Sequence, residues 1–323
     1  MASKLQYVTI SEDPIVSKLK RTCIQPNKTF GEIAVGPKGV VLPEVYMKEA
    51  EKILDMEVRP EDIWVISLPR TGTTWTEEMT WLLSNDLDYK AAQSKELYKR
   101  FWYLELAATL GDKKFSNEFG SVDTISNAKS PRFIKTHLGI DLLPKQLWLV
   151  KPKIIYVYRN PKDVVISLYH FMSMLNKMQG TLEEYAEAFL NNKCNYCPFW
   201  EHVLDFWKIK DEKNILFLTY EQMTQDLVSV IYKTAKYLGT TITEEQTQKL
   251  AQHLDYKNMK KNNSVNQKKQ LLKFKVVSQP EDVNFIRKGI SGQWKESMSQ
   301  ELIIKFDEWT KKYLLETDFP FYE

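Results

Sequence analysis

Several short stretches of the sequence carry residues that could bind or transfer an anionic group, and the first spans residues 69–75. It lies between a predicted strand and a predicted helix, where free N–H groups and the helix dipole favour anions. Gly72 allows close approach of the backbone, and Arg70 adds a fixed positive charge. The stretch lacks the GxxxxGKS or GxxxxGKT pattern of P-loop NTPases. An ordinary strand-to-helix turn with a threonine cap explains the same residues, so this stretch alone leaves both interpretations open.

The second stretch, Lys135-Thr136-His137, ends another predicted strand. The carboxyl ends of parallel strands are where α/β sheets bind their ligands. A neutral imidazole at this place can take a proton from a hydroxyl group near neutral pH. Taken alone, however, His137 is more simply explained as a hydrogen-bonded structural histidine.

Two further stretches are cationic. Arg159 directly follows the most apolar predicted strand, at a position where P-loop NTPases often carry a metal-binding aspartate. A cation there favours direct pairing with an anion, and Ser167 lies two helical turns further on. The stretch 287–289 combines two adjacent cations with a flexible glycine, which suits a phosphate clamp. Solvated surface charges explain each stretch equally well when it is taken alone.

The pair Cys194 and Cys197 has the spacing of a redox or zinc motif. A structural zinc site needs four ligands, and only His202 lies nearby in sequence, so we expect thiols and no metal. Cys23 makes the cysteine count odd, which argues against a disulfide framework. A reducing, cytoplasmic setting is therefore expected.

The elements that must position these stretches alternate between strands and helices. Short apolar runs predict strands at 62–67, 132–135, 153–158 and 215–219, and amphipathic patterns predict helices between them. This alternation predicts an α/β fold, a single domain over 1–323 with a central parallel sheet flanked by helices. A hairpin is expected at 34–43 and a final helix at 299–315. An irregular segment is expected at 1–30 and a mobile loop at 262–284.

Composition limits the function further. The 323 residues carry 45 basic and 42 acidic side chains, a net charge of +3, which gives no broad field for nucleic acid or an anionic membrane. No apolar run approaches the roughly 18 residues that a membrane span needs. The beginning of the chain has no signal-peptide pattern. We therefore expect no nucleic-acid partner, no membrane span and a small, local anion site.

Taken together and in order, these motifs resemble the cytosolic sulfotransferase family. The strings LPRTGTTW, RFIKTHL, IYVYRNPKDVVISLYHF, FLTYEQM, HLDYKNMKKN and FIRKGISGQW carry the resemblance from about residue 60 to residue 295. The sequences of these motifs are most similar to those of insect members of the family, whose relatives include a retinol dehydratase. The resemblance implies transfer of a sulfuryl group from 3′-phosphoadenosine 5′-phosphosulfate to a hydroxyl or amine of a small lipophilic acceptor, such as a phenol, steroid or retinoid. It implies no metal.

The resemblance also implies roles for individual residues. His137 would be the general base, while Lys135 and the 70–74 loop with Arg70 would hold the 5′-phosphosulfate and stabilise the charge that grows on its bridging oxygen. The implied donor-binding residues are Arg70, Thr71, Gly72, Thr73, Thr74, Trp75, Arg159, Ser167, Tyr220, Tyr256, Arg287, Lys288 and Gly289. Arg159, Ser167 and the 287–289 stretch would take the 3′-phosphate. Trp75 and Tyr256 would pack against the adenine, and Tyr220 would contact the edge of the base. Aromatic residues that could line an acceptor pocket, or equally belong to the core, are Phe101, Trp102, Tyr103, Trp148 and Phe171.

The sequence departs from the family pattern at three places. Arg70 stands where most members have lysine, and because arginine does not readily release a proton, we expect it to act through its charge alone. Leu254-Asp255 replaces a common Thr-Ser pair beside the predicted adenine contact. The family's C-terminal dimer motif is not kept at 295–304, so a homodimer formed by that route is in doubt.

Other functions predict different residues. A P-loop nucleotide kinase would carry a Lys-Ser or Lys-Thr pair in the loop and an acidic metal ligand after the third strand, and the sequence has neither. A nucleotide carrier without chemistry would lack the base, but His137 and Lys135 are present. A binder of lipophilic ligands would depend on the aromatic stretch 98–103, which is more often core.

Overall fold

The computed structural model describes residues 5–21, 31–111, 117–175, 180–273 and 285–320. Its main sheet has five parallel strands in the order β5-β6-β4-β7-β8. The strands are β4 (Ile63–Ser67), β5 (Trp102–Tyr103), β6 (Phe133–Thr136), β7 (Lys153–Tyr158) and β8 (Ile215–Thr219). The predicted parallel sheet is confirmed, and each of the four predicted strands lies within one residue of its expected bounds.

Helices cover both faces of this sheet. They span Ala50–Leu54, Thr73–Leu83, Tyr89–Ser94, Leu97–Arg100, Leu106–Leu110, Val122–Ser126, Leu147–Val150, Pro161–Met174, Leu182–Leu190, Phe199–Lys208, Tyr220–Gln225, Leu227–Leu238, Glu244–His253, Tyr256–Lys261, Lys268–Lys273, Trp294–Ser297 and Gln300–Leu314. Short 3-10 turns lie at Glu44–Lys48 and Ile140–Leu142. Within the described residues, no helix combines the length and the apolar character that crossing a membrane requires.

Alternation of side chains along the strands creates two separate hydrophobic layers. Trp64 and Ile66 face one layer, whereas Val65 and Ile155 face the other. All of these side chains are fully buried, as expected for a central parallel sheet that is covered on both sides. The carboxyl ends of the strands therefore meet at one edge, and this edge holds the predicted catalytic residues.

The first part of the chain is more regular than the sequence predicted. β1 (Tyr7–Thr9) pairs with β2 (Glu32–Val35), and β2 forms the expected hairpin with β3 (Val40–Pro43). A helix spans Pro14–Arg21, and Asp13 accepts a hydrogen bond from the Ile15 backbone at its start. The expectation of an irregular segment was wrong for these residues, because the partner of β1 lies far along the chain and leaves no local pattern.

The expectation of a loop over 262–284 was wrong for part of this stretch. Residues Lys268–Lys273 form a helix whose Gln270 and Leu271 are buried. Residues 274–284 lie outside the described residues. The helix was missed because its sequence, KKQLLK, is mostly polar, so its short buried stripe is hidden.

Candidate active site

The loop between β4 and the helix Thr73–Leu83 has the backbone that the motif predicts. Arg70 and Gly72 both have positive φ values, 72° and 105°. A Cβ atom on Gly72 would lie 2.9 Å from a ring carbon of Tyr220, so only glycine fits this turn. Thr71 donates its hydroxyl hydrogen to the Leu68 carbonyl at 2.8 Å, which holds the turn closed. The first N–H groups of the following helix, from Thr73 onward, have no partner within that helix and form an anion-binding end.

His137 lies directly after β6, buried at the same edge of the sheet. Its Nδ1 lies 2.6 Å from the carbonyl oxygen of Ser67 at the end of β4. Because a carbonyl oxygen only accepts, Nδ1 carries the hydrogen and Nε2 keeps its lone pair. Burial, with a further contribution from the Lys135 charge, lowers the pKa of His137 to about 3. The imidazole is therefore neutral at physiological pH and can act as a base.

Aromatic rings enclose this imidazole. The rings of Tyr103 and Tyr196 contact His137 edge-on, with centroids 5.2 Å and 5.5 Å away. Their hydroxyl oxygens lie 3.1 Å apart and share a hydrogen bond. These rings pack against the imidazole and restrict its motion.

Lys135 extends from β6 on the same side as His137, and its ammonium group is buried. Its Nζ lies 3.0 Å from Glu77 Oε1 and 4.7 Å from the centroid of the Tyr103 ring. Burial raises the pKa of Glu77, while the attraction of Lys135 opposes that shift. The carboxylate, the ring and the ammonium group thus form one packed unit beside the base.

Glu105 holds the backbone around His137. One of its oxygens accepts the His137 backbone N–H and the other accepts the Thr136 hydroxyl, both at 2.8 Å. Burial raises the pKa of this carboxyl group to about 7. Sequence reasoning did not identify Glu105, Glu77 or Tyr196. The sequence carries no signal for Glu105, because β5, the strand that it follows, has only two residues and shows no period.

A cluster of arginines forms the second part of the site. Arg70 Nε donates to the Ser167 hydroxyl at 3.1 Å, and its Nη2 donates to the Phe285 carbonyl at 2.8 Å. The guanidinium carbon of Arg70 lies 4.9 Å from the ring of Phe171 and 5.2 Å from that of Phe285. Arg159 donates to the Arg70 carbonyl at 3.2 Å. The structure therefore brings together residues from three separate motifs.

The electrostatics of this cluster favour an anion. Burial, with further contributions from the neighbouring charges of Arg159 and Arg287, lowers the pKa of Arg70 to about 10. The pKa of Arg287 is also lowered, first by burial and then by Arg159. The repulsion between like charges held together inside a protein is reduced when an anion binds between them.

The segment at 285–294 packs against the cluster and against Tyr256. The Tyr256 hydroxyl donates to the Arg287 carbonyl. Gly289 has a φ of 67°, and a Cβ atom there would lie 2.4 Å from a Tyr256 ring carbon. Arg287 is half-buried, whereas Lys288 is exposed. The close contact with the Tyr256 ring therefore requires glycine at position 289.

The other predicted adenine contacts, Trp75 and Tyr220, lie edge-to-face with ring centroids 5.7 Å apart. The Arg159 guanidinium carbon lies 4.0 Å from the centre of the Tyr220 ring. These aromatic residues thus border the arginine cluster. Their contacts with a nucleotide stay a prediction.

The five aromatic residues predicted for an acceptor pocket lie in different places. Tyr103 contacts His137, and Phe171 contacts Arg70. Phe101 is fully buried and packs on Phe133 in one hydrophobic layer. Trp102 packs near Gly120, and Trp148 packs on Phe206. Their acceptor-binding role stays a prediction.

The two cysteines of the C-x-x-C motif are free, buried thiols. Burial raises the pKa of Cys197 to about 12 and raises that of Cys194 well above its ordinary value. One ring nitrogen of His202 forms a hydrogen bond with the Tyr156 hydroxyl, and the other forms one with the Leu138 carbonyl. In the parts of the chain that the structure describes, no cluster of three or more potential metal ligands occurs.

Comparison with known proteins assigns the family. A family model described as the sulfotransferase domain matches residues 60–318, which is most of the chain. The chain belongs to the sulfotransferase family. The match includes the 69–75 loop, His137, Arg159 and the 285–294 segment of this sulfotransferase, so the resemblance noted in the sequence is confirmed.

Curated relatives agree with this assignment. Luciferin sulfotransferase from Photinus pyralis is 40% identical and the match covers 89% of this chain and 80% of that protein. Sulfotransferase 1 family member D1 from Rattus norvegicus is 33% identical, with coverage of 90% and 96%. This chain is therefore an enzyme, a sulfotransferase, with a similar relative among insects.

A solved structure agrees over the whole fold. Retinol dehydratase in complex with androsterone and the inactive cofactor PAP superposes with a TM-score of 0.88, at 27% identity, and the match covers 99% of each chain. The similarity extends over the helices that surround the sheet as well as the sheet itself, which confirms the predicted sulfotransferase fold.

Proposed function

We propose that this sulfotransferase transfers the sulfuryl group of 3′-phosphoadenosine 5′-phosphosulfate to a hydroxyl or amine of a small lipophilic acceptor, such as a phenol, steroid or retinoid, with His137 as the general base. The observation that carries the proposal is the hydrogen bond from His137 Nδ1 to Ser67, which leaves Nε2 as a basic atom. PAP, the donor without its sulfuryl group, occupies retinol dehydratase in complexes with androsterone and with retinol.

His137 begins the reaction by taking the acceptor's proton on Nε2. The acceptor oxygen, or nitrogen for an amine, then forms its bond to sulfur as the bond between sulfur and the bridging oxygen of the donor breaks. Lys135 and the N–H groups of the 70–74 loop stabilise the negative charge that develops on that oxygen. The proton on His137 then passes to solvent. No residue of the chain needs to form a covalent intermediate.

The arginine cluster supplies the donor's second anchor. Arg159, Ser167 and the 287–289 stretch surround Arg70 and would bind the 3′-phosphate. Arginine pairs with phosphate through two parallel hydrogen bonds, which gives both energy and orientation. Trp75, Tyr220 and Tyr256 would contact the adenine. A doubly anionic nucleotide thus explains why cations from separate motifs meet at one place.

We also propose that the whole chain, 1–323, acts as one domain in the cytoplasm and needs no metal. The free thiols of Cys194 and Cys197 support a reducing compartment. Cell fractionation of the untagged protein would test the location, and activity in a chelating buffer would test the metal independence.

The central experiment offers a panel of phenols, steroids, retinoids and amines with labelled donor to the parent enzyme and to His137→Ala, and it measures PAP binding to both by calorimetry. We expect at least one acceptor to be sulfated by the parent only, while both proteins bind PAP. Mass spectrometry of the product separates a sulfate ester from a dehydrated product. If the parent neither binds PAP nor labels any acceptor, the proposal fails.

A further inference from the structure

Lys135 and Glu77 form a buried ion pair that binding of the donor does not explain. The two side chains are 9% and 1% exposed, and their charged atoms lie 3.0 Å apart. Glu77 belongs to the helix that begins at the donor loop, whereas Lys135 belongs to β6. The Glu77 carboxylate therefore lies next to the Lys135 ammonium group, which is expected to face the negatively charged donor.

Burying an ammonium group without a partner strongly disfavours its charged form. Glu77 offsets this cost by supplying a carboxylate within hydrogen-bonding distance of Lys135. The Tyr103 ring lies 4.7 Å from the same Nζ and limits its motion. The carboxylate and the ring thus confine the ammonium group before any donor arrives.

We propose that Glu77 is a positioning residue for sulfuryl transfer: it holds the Lys135 ammonium group at a fixed point beside the bridging oxygen. This inference rests on the proposed function, because it gives Lys135 a place next to the donor. Stabilisation of a developing charge depends on donors that are already in place, so loss of Glu77 reduces the rate of transfer more than the affinity for PAP.

The chain offers a matched control in the next residue. Glu78 is also fully buried in an ion pair, 2.7 Å from Arg100 Nη2, and its other oxygen lies 2.8 Å from His253 Nε2. Because successive residues of a helix point in directions about 100° apart, Glu78 serves a different part of the structure. Glu78→Gln therefore breaks a buried pair without touching Lys135.

The first test compares Glu77→Gln with Glu78→Gln. We expect Glu77→Gln to lower kcat about tenfold or more while the Kd for PAP changes less than about threefold. Thermal unfolding determines the folded fraction, and we expect Glu78→Gln to lower the melting temperature but to leave kcat per folded enzyme within about twofold. Equal kcat losses in the two variants would overturn the inference.

The second test determines whether Glu77 acts through Lys135. On a Lys135→Met background, Glu77→Gln should cause no further loss of kcat, because the group that it positions is gone. A further loss as large as in the parent would overturn the inference. If Glu77→Gln does not fold, Glu77→Asp keeps a carboxylate that is one methylene shorter, and a kcat equal to the parent's would count against the inference while an intermediate kcat would support it. Absence of labelled product from the parent would contradict the proposed function itself.

Discussion

The imidazole of His137 donates its Nδ1 hydrogen to the backbone carbonyl of Ser67 across 2.6 Å. Ser67 ends the central strand β4, and the donor loop follows it directly. The base and the loop are therefore fixed relative to each other by backbone atoms of adjacent parallel strands. An orientation set by a carbonyl does not depend on the protonation of a second side chain.

The first prediction concerns this base. His137→Ala should lower kcat by about a hundredfold to ten-thousandfold, the usual contribution of a general base, because the variant lacks the group that we propose takes the acceptor's proton. PAP binding should change little, since we propose that the side chain faces the acceptor and not the donor. His253→Ala is the control, because that histidine pairs with Glu78 away from Lys135 and His137. If His137→Ala retains the parent's kcat, another group is the base.

The second prediction concerns pH and stability. The folded-state pKa of His137 is about 3, below its ordinary 6.5, so on acidification the unfolded chain binds this proton first. The contribution of neutral His137 is thus present above pH 6.5 and is lost as the pH falls toward 3. Between about pH 7.5 and about pH 5.5 it should remove about 1 kcal/mol from the free energy of unfolding.

Urea denaturation at these two pH values measures this loss, and His137→Ala is the comparison. The variant carries no titrating group at this position, so its free energy of unfolding should fall by about 1 kcal/mol less than the parent's over the same range. Equal falls in the two proteins would show that His137 is not kept neutral by folding.

Much of the fold was predictable because long apolar strands leave a local pattern. β7 carries isoleucine, valine and tyrosine on both faces, and its bounds were predicted to the residue. β5 has only Trp102 and Tyr103, too few residues to show a period, so the strand that positions Glu105 was missed. Lys135 and His137 were selected as candidates from their place at the end of a predicted strand. Glu77 was not, because its partner comes from a distant part of the chain.

The third prediction compares two glycines of one segment. Gly289 and Gly292 both have positive φ values, 67° and 82°, so alanine is strained at each. Only at position 289 would the new Cβ collide, at 2.4 Å from Tyr256, whereas nothing lies within 4 Å at position 292. Gly289→Ala should therefore weaken PAP binding about tenfold more than Gly292→Ala, as calorimetry would measure. Similar PAP affinities of the two variants would show that the contact between Gly289 and Tyr256 does not affect nucleotide binding.

The fourth prediction separates the charge of Arg70 from its geometry. The sequence predicts that Arg70 acts through charge alone, and Arg70→Lys keeps that charge. The Nε and Nη2 atoms, however, reach Ser167 and the Phe285 carbonyl in different directions, and one ammonium group cannot make both contacts. We therefore expect Arg70→Lys to keep kcat within about twofold and to raise the Kd for PAP about tenfold.

Ser167→Ala provides the second half of this test, because it removes the hydroxyl that Arg70 Nε contacts and leaves the guanidinium group in place. If the hydrogen bond orients Arg70 for the nucleotide, Ser167→Ala should weaken PAP binding in the parent but have little further effect in Arg70→Lys. Independent effects that add in the double variant would mean that Ser167 and Arg70 contact the donor separately. A loss of kcat in Arg70→Lys at saturating donor would instead show that the guanidinium group stabilises the transition state, because the donor is fully bound under that condition.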